Sequence, residues 1–223
     1  MASRPKLENL NFLYPIIIIL VIVLATSAFV IVDSGHVGVI RTLGAVQPQP
    51  IPEGFHLKKP FLDKVEQVDI RLTKAKSKSA AASKDLQTVE TQVTVQYSIL
   101  GPVAPQTYQR IGQREVVAAT VIEPAIQESV KAVAAQFTAE QLVTREAEVK
   151  QQIQKAIENF INVTLLDKKV PTALKIANVA ITDFEFSAEF NKAIELKVRA
   201  EQEALQAINE KTRRVTQAEA GYQ

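Results

Sequence analysis

The chain has 223 residues, with 26 Lys and Arg against 24 Asp and Glu, so its formal charge of +2 lacks the electrostatic footprint a phosphate backbone requires and no nucleic-acid partner is expected. The absence of Cys excludes disulfide staples, thiolate catalysis and Cys-based zinc or iron–sulfur sites, and two His with no Trp narrow the chemistry further. An apolar share of 47% with seven Gly and ten Pro describes a chain able to form a core, neither disordered nor fibrous.

Residues 1–11 read as an N-terminal tail and residues 12–32 as a transmembrane anchor. No charge interrupts the stretch from Asn9 to Val32, and between Phe12 and Val32 fifteen positions are Phe, Leu, Ile or Val. A helix over this run would be about 31 Å long, the thickness of the hydrocarbon core, and its large apolar side chains would favour insertion by roughly 5–9 kcal/mol. Phe12, Ile16, Leu20, Leu24 and Val32 mark the expected span, and Pro15 falls in its first turn, where proline is tolerated. The alternative is a cleaved signal peptide, since Ala25-Thr26-Ser27 offers small residues, but Phe29 to Val32 carry the apolar run beyond them. Arg4 and Lys6 precede the run and only Arg41 follows closely, so the positive-inside rule predicts a single-pass protein with a cytoplasmic N-terminus and the bulk on the opposite side.

From Asp33 the chain reads as α+β. Residues 33–80 form an expected β-rich subdomain, with strands at His36 to Arg41 and Val65 to Leu72 separated by the Pro-rich turn Gln47 to Gly54. Lys74, Lys76, Lys78 and Lys84, interleaved with Ser and Ala, read as a solvated connection. Residues 81–186 form a second, αβ subdomain. Its first strand alternates from Gln87 to Ile99, with Val89, Thr91, Val93, Val95 and Tyr97 on one face. Helical spacing follows at Ala119, Ile122, Ile126, Val130, Val133 and Phe137, with Pro124 kinking this helix or starting its second part. Thr138 and Gln141 resemble a capping box, and Val149, Ile153, Ile157 and Phe160 stripe another helix. A last strand spans about Leu174 to Phe186, where the apolar parity moves as a β-bulge would produce.

Residues 187–223 read as a long coiled-coil helix without a breaker until Gly221. Ile194, Val198, Glu201, Leu205, Ile208, Thr212, Val215 and Glu219 follow alternating four and three spacings, an imperfect seam in which five of eight are apolar, and Ala200, Ala204 and Ala207 lie beside it. The resulting apolar surface is wider than one partner helix needs, which predicts a wall of parallel helices in which each touches two copies of itself. The alternative is a helix lying on its own domain.

No glycine spacing forms a nucleotide loop, and neither His36 nor His56 has a second ligand at metal spacing. Asp33, Ser34 and His36 superficially suggest a hydrolase triad, but neighbours on an extended chain point to opposite faces. The sequence therefore predicts no catalytic residues, no cofactor and no metal, and a protein that is not an enzyme. Lys58, Lys59 and Lys64 flank Pro60-Phe61-Leu62, so Lys58, Lys59 and Phe61 are candidate membrane contacts in which an apolar tip dips into the interface beside anionic headgroups. The competing reading is an ordinary hairpin with Phe61 in the core.

Val39-Ile40-Arg41-Thr42-Leu43-Gly44, Pro52-Glu53-Gly54-Phe55-His56-Leu57-Lys58-Lys59-Pro60-Phe61, Val68-Asp69-Ile70-Arg71 and Ser83-Lys84-Asp85-Leu86-Gln87-Thr88-Val89 resemble the prohibitins of the stomatin/prohibitin/flotillin (SPFH, or band 7) superfamily, in order and spacing. The similarity runs through Arg145-Glu146 and Phe184 into the terminal helix. It implies a single N-terminal anchor, two SPFH subdomains and a coiled coil, in a bacterial or cyanobacterial member of the group. It further implies a large ring- or bell-shaped homo-oligomer that acts as a membrane scaffold, organises lipids into a microdomain, and encloses or regulates an FtsH-type AAA protease. Members of the group usually continue past the coiled coil, whereas this chain stops at Gln223.

Overall fold

The computed structural model describes the backbone of residues 10–220 and the side chains of residues 14–214; the expected tail before Leu10 and the side chains of Phe12 and Val215 lie outside the described residues. Helix α1, Leu10–Ser27, is 18 residues long, about 27 Å at the helical rise. Its last turn is closed locally, the Thr26 hydroxyl donating to the Ile22 carbonyl at 3.0 Å and the Ser27 hydroxyl to the Leu24 carbonyl at 3.2 Å.

The apolar run then changes conformation. Phe29–Val32 form strand β1, paired antiparallel with β4, Gly54–Leu57. The expected span to Val32 is thus corrected: Val32 is a core residue of the β-subdomain, 2% exposed, and among the described residues no helix is long and apolar enough to cross a membrane. An unbroken apolar run of β-branched and aromatic residues fits a buried strand as well as a helix, and here the β4 ladder decides.

Strand β2, His36–Thr42, lies between β3, Ala45–Val46, and β5, Asp63–Asp69. Gly38 makes the close approach possible, because a Cβ there would stand 3.0 Å from Val32 and 3.1 Å from Val65. Ile51 exchanges main-chain hydrogen bonds of 2.9 and 2.8 Å with the same glycine.

Strand β6 is Thr73–Ala82, laddered along its length with β7, Thr88–Ile99. This corrects two expectations. The lysine-rich stretch is not a connection, and the boundary between the subdomains falls near Leu72, since a division at residue 80 would cut β6. Lys74, Lys76 and Lys78 point outward while Ala75, Ser79 and Ala81 are buried. Small inward residues conceal the alternation, and lysines are what an edge strand carries to discourage further pairing.

Beyond β7 lie β8, Leu174–Ile181, and β9, Glu185–Phe186, both antiparallel to it. The expected parity change between them is a break. Thr182 leaves the ladder and stitches to Gln92, its hydroxyl accepting from the Gln92 N–H at 3.0 Å. The ladder's register irregularity falls elsewhere, between Gln96 and Tyr97.

A helical layer covers one face of this sheet. A 3₁₀ turn at Gly101–Val103 leads into α2, Ala104–Arg110, and α3, Arg114–Val117. A π segment at Ala118–Ile122 then precedes α4, Glu123–Ala134. Pro124 sits in the first turn of α4, where its missing N–H costs nothing, so it starts the second part of the helix. The capping box is present at α5, Ala139–Thr144, with Gln141 N–H to Thr138 Oγ1 at 3.2 Å and Thr138 N–H to Gln141 Oε1 at 3.1 Å.

On α6, Glu146–Asp167, the buried stripe is Val149, Ile153, Ile157, Ile161 and Leu165; Phe160 flanks it, half-buried. These side chains meet Val93, Val95, Tyr97, Ile122 and Ile126 in the main core. A smaller cluster of Val37, Val39, Val68, Ile99 and Ala104 joins the two subdomains. Helix α7, Ala188–Ala220, has 33 residues and a length of about 50 Å.

Candidate membrane and assembly surfaces

One residue, Ala28, separates α1 from β1, and its carbonyl accepts from the Lys58 N–H at 2.7 Å. The β1–β4 register places Phe29 opposite Leu57 and Ile31 opposite Phe55, so the four side chains share one face of the two-stranded sheet. All four are exposed, Leu57 at 76%, and the Phe29 and Phe55 rings lie 5.7 Å apart. Ile16, Leu20 and Leu24 on α1 are exposed too, so an exposed apolar helix leads directly into this apolar platform. Sequence reasoning missed this platform by assigning Phe29 and Ile31 to the helix; the period-two spacing of Phe55 and Leu57 was the available signal.

Beside it stands the basic turn. Lys59 N–H donates to Asp63 Oδ2 at 2.9 Å, and the Thr42 hydroxyl donates to Asp63 Oδ1 at 2.7 Å. Those two bonds, the Thr42 hydroxyl first, hold the Asp63 carboxyl below the usual carboxylate range. Fixed in this way, Phe61 takes a left-handed φ of +62° and is 73% exposed, which overturns the alternative that buried it in the core. Leu43 does the same at +50° on the neighbouring turn, tied to it by the Leu43 N–H to Leu62 carbonyl bond of 3.0 Å. Lys58 is half-buried and Lys59 exposed, so both lysines and Phe61 come together next to the root of α1.

The joint between the subdomains is ionic as well as apolar. Asp69 Oδ2 lies 2.7 Å from Arg71 Nη2 and 2.7 Å from Arg114 Nη1, with the Asp69 side chain 11% exposed. Hydrogen bonds from Arg71, with the Arg114 charge adding to them, hold the Asp69 carboxyl well below its ordinary range against the opposing effect of burial. His36 Nε2 is 4.0 Å from the same carboxylate, while its Nδ1 faces the main-chain carbonyl of Ser34. The imidazole is therefore turned toward Asp69 and not toward the Ser34 hydroxyl. Among the described residues no group of three or more His, Asp and Glu is placed to hold a metal ion.

Ser187 starts α7, its hydroxyl accepting from the Phe190 N–H at 3.2 Å, and the Phe186 and Phe190 rings stack 5.0 Å apart. Lys197 Nζ reaches Glu140 Oε2 on α5 at 3.0 Å. From residue 195 to residue 214 every side chain is exposed, so beyond the Lys197 contact this described stretch of α7 is not packed on its own domain. Val198, Ala200, Ala204, Leu205, Ala207 and Ile208 are among these; Ile194 is half-buried. Leu196, exposed beside the seam, was missed because it falls outside the four-three spacing.

A model of the "SPFH domain / Band 7 family" matches residues 30–219, from β1 through both subdomains and along α7. Prohibitin-7, mitochondrial, of Arabidopsis thaliana is 30% identical over 177 residues, 79% of this chain and 60% of the relative. Prohibitin-6, mitochondrial, of the same plant is 33% identical over 186 residues, 82% of this chain and 61% of the relative. Prohibitin-2 of Mus musculus is 33% identical over 178 residues, 79% of this chain and 56% of the relative. The chain spans about three fifths of the length of these curated relatives. With three sheets, a helical layer and a long terminal helix in the matched range, the chain belongs to the SPFH domain / Band 7 family, and the relatives it resembles there are prohibitins.

Proposed function

We propose that the chain is a membrane-seated scaffold whose copies stand side by side and close into a large ring- or bell-shaped homo-oligomer around a membrane microdomain. The observation that carries this reading is the terminal helix. A rod of about 50 Å presents Val198, Leu205 and Ile208 beside a stripe of alanines, and between residues 195 and 214 its own domain buries none of its side chains. Such a surface needs partners, and two adjoining strips on one helix suit two neighbours, which is how a wall of identical helices closes.

Helix α1 and the Phe29, Ile31, Phe55 and Leu57 platform are the bilayer-facing end, with Lys58 and Lys59 at anionic headgroups and Phe61 in the interface. In the single-pass form of this reading Arg4 and Lys6 keep the N-terminus on the cytoplasmic side and the two subdomains stand on the other. Resemblance to prohibitins supports a second role for the same assembly, as an adaptor controlling access to an FtsH-type protease. Co-purification of such a protease, with changed substrate turnover when this chain is deleted, tests that role. The scaffold itself is tested by the mass and outline of the particle extracted in mild detergent. A very large closed particle is expected, and a monomer or dimer refutes the reading.

A further inference from the structure

The turn Ser83–Gln87 joins β6 to β7 at the opposite end of β6 from Leu72 and the subdomain boundary. Its geometry is fixed from inside. Ser83, 2% exposed, donates its hydroxyl to Asp85 Oδ1 at 2.6 Å and accepts from the Gln87 N–H at 3.0 Å, while the Leu86 N–H meets the Ser83 carbonyl at 2.9 Å. Two bonds clamp the turn to the α4–α5 junction, Lys84 N–H to the Phe137 carbonyl at 2.8 Å and Ala139 N–H to Asp85 Oδ1 at 2.9 Å.

The product of this bracing is Leu86 held at φ +59° and 85% exposed. A Cβ is disfavoured in the left-handed region, where glycine or asparagine sits more readily, and an aliphatic side chain in water adds nothing to the fold. The turn thus accepts local strain to display a leucine on a rigid base.

On the helical layer, facing away from the sheet, α4 and α6 leave a groove of about 790 Å³ whose lining includes Ala132, Ala156, Phe160 and Val163, with Glu128 on its rim. We propose that Leu86 of one copy seats in the α4–α6 groove of the next copy, with Lys84 beside Glu128. Three observations favour a second copy of this chain as the occupant. First, tip and groove are different surfaces of one molecule, and Leu86 is too exposed to fill its own groove, so the contact is head-to-tail and repeats around a ring. Second, β9, which leads into α7, pairs with Val89 and Glu90 just past the turn, so the contact is continuous with the helix wall. Third, Lys84 is exposed and forms no ion pair among the described residues, and Glu128, engaged only by an exposed i,i+3 pair with Lys131 at 3.5 Å among those residues, can supply it an opposite charge.

This contact rests on the assembly reading, and the experiment separates the two. The chain has no cysteine, so introduced thiols are unique. In detergent-extracted full-length protein, Leu86→Cys with Ala132→Cys in the same chain and a short bismaleimide should give a ladder extending past the dimer. Co-assembled single variants should give dimers alone. Leu86→Asn keeps the left-handed turn while removing the apolar tip, and it should raise the concentration needed for assembly by at least about tenfold with the melting temperature unchanged or higher.

A large particle that forms no ladder, or one that Leu86→Asn leaves intact, overturns the groove contact and spares the scaffold. A double variant that stops at dimers shows a two-fold contact and also overturns it. A wild-type chain that stays monomeric refutes both.

Discussion

Asp69 is the most exposing test of how the two subdomains are held together. Replacing it with Asn keeps the shape and removes the charge that meets Arg71 and Arg114, both at 2.7 Å. Arg71 is two residues away and 62% exposed, so its pairing with Asp69 forms locally with or without the joint and adds nothing to the joint's strength. The Arg114 contact is different. It links β5 to α3 across the subdomain boundary, between an 11% exposed carboxylate and a 28% exposed guanidinium. Breaking a buried pair costs ~3–5 kcal/mol and an exposed one ~0–1, so this half-buried contact is worth about 2 kcal/mol. With a urea dependence of ~2 kcal/mol per molar, Asp69→Asn should lower the unfolding midpoint of the detergent-solubilised chain by about 1 M.

The pH dependence has a fixed sign. Because the folded carboxyl titrates below its ordinary value, the unfolded chain binds more protons in acid, and stability rises with pH there. The contribution is complete above about pH 4, the ordinary Asp range, and is lost as pH falls toward the depressed folded value. The gap between wild type and Asp69→Asn should narrow in the same direction. A midpoint shift under about 0.2 M, or a cycle with Arg114→Ala that gives less than about 0.5 kcal/mol of coupling, refutes the strut.

In the proposed wall, Ala204→Glu and Leu205→Glu would place a carboxylate in each helix-to-helix contact, and the detergent particle should fall to small species on size exclusion with light scattering, at unchanged helicity. With Phe61→Cys as a reporter, joint Lys58→Glu and Lys59→Glu should raise labelling by a water-soluble maleimide in anionic vesicles at least about tenfold, since each lysine near such a surface contributes ~1 kcal/mol. Equal labelling would take the basic turn off the membrane. Ile157→Ala, at a fully buried position of α6, should cost ~2–5 kcal/mol in chemical denaturation. A loss below about 1 kcal/mol would mean that the α6 stripe is not packed on the sheet.

What could be read from the chain beforehand followed the strength of periodicity. The β7 alternation, the α6 stripe and the Thr138–Gln141 capping box each arise from local rules, and all are present in the fold. The errors share a cause, which is that composition overrode pairing. Phe29 to Val32 looked like lipid-spanning helix because nothing local announces that Gly54–Leu57 will ladder against them. Lys74 to Lys78 looked like solvent-exposed loop because Ala and Ser, small enough to sit beneath α4, do not register as a core face. Lys58, Lys59 and the α7 seam were legible as residues, but the platform joining the basic turn to α1 depends on cross-strand register, which a single sequence does not carry.

The lone Ala28 between α1 and β1 leaves no slack at that junction. Lys58 ties it by one main-chain bond, and Val32 plugs beneath Gly38 four residues later. In the proposed membrane-seated scaffold, a helix joined so tightly would work as a handle: were the lipid around it to bow, the body would turn with it, and α7 would be a lever that magnifies the swing. Ten degrees at the root would carry the tip of a rod of about 50 Å sideways by roughly 9 Å. The mouth of an enclosure built from such levers would widen or narrow with the curvature beneath it.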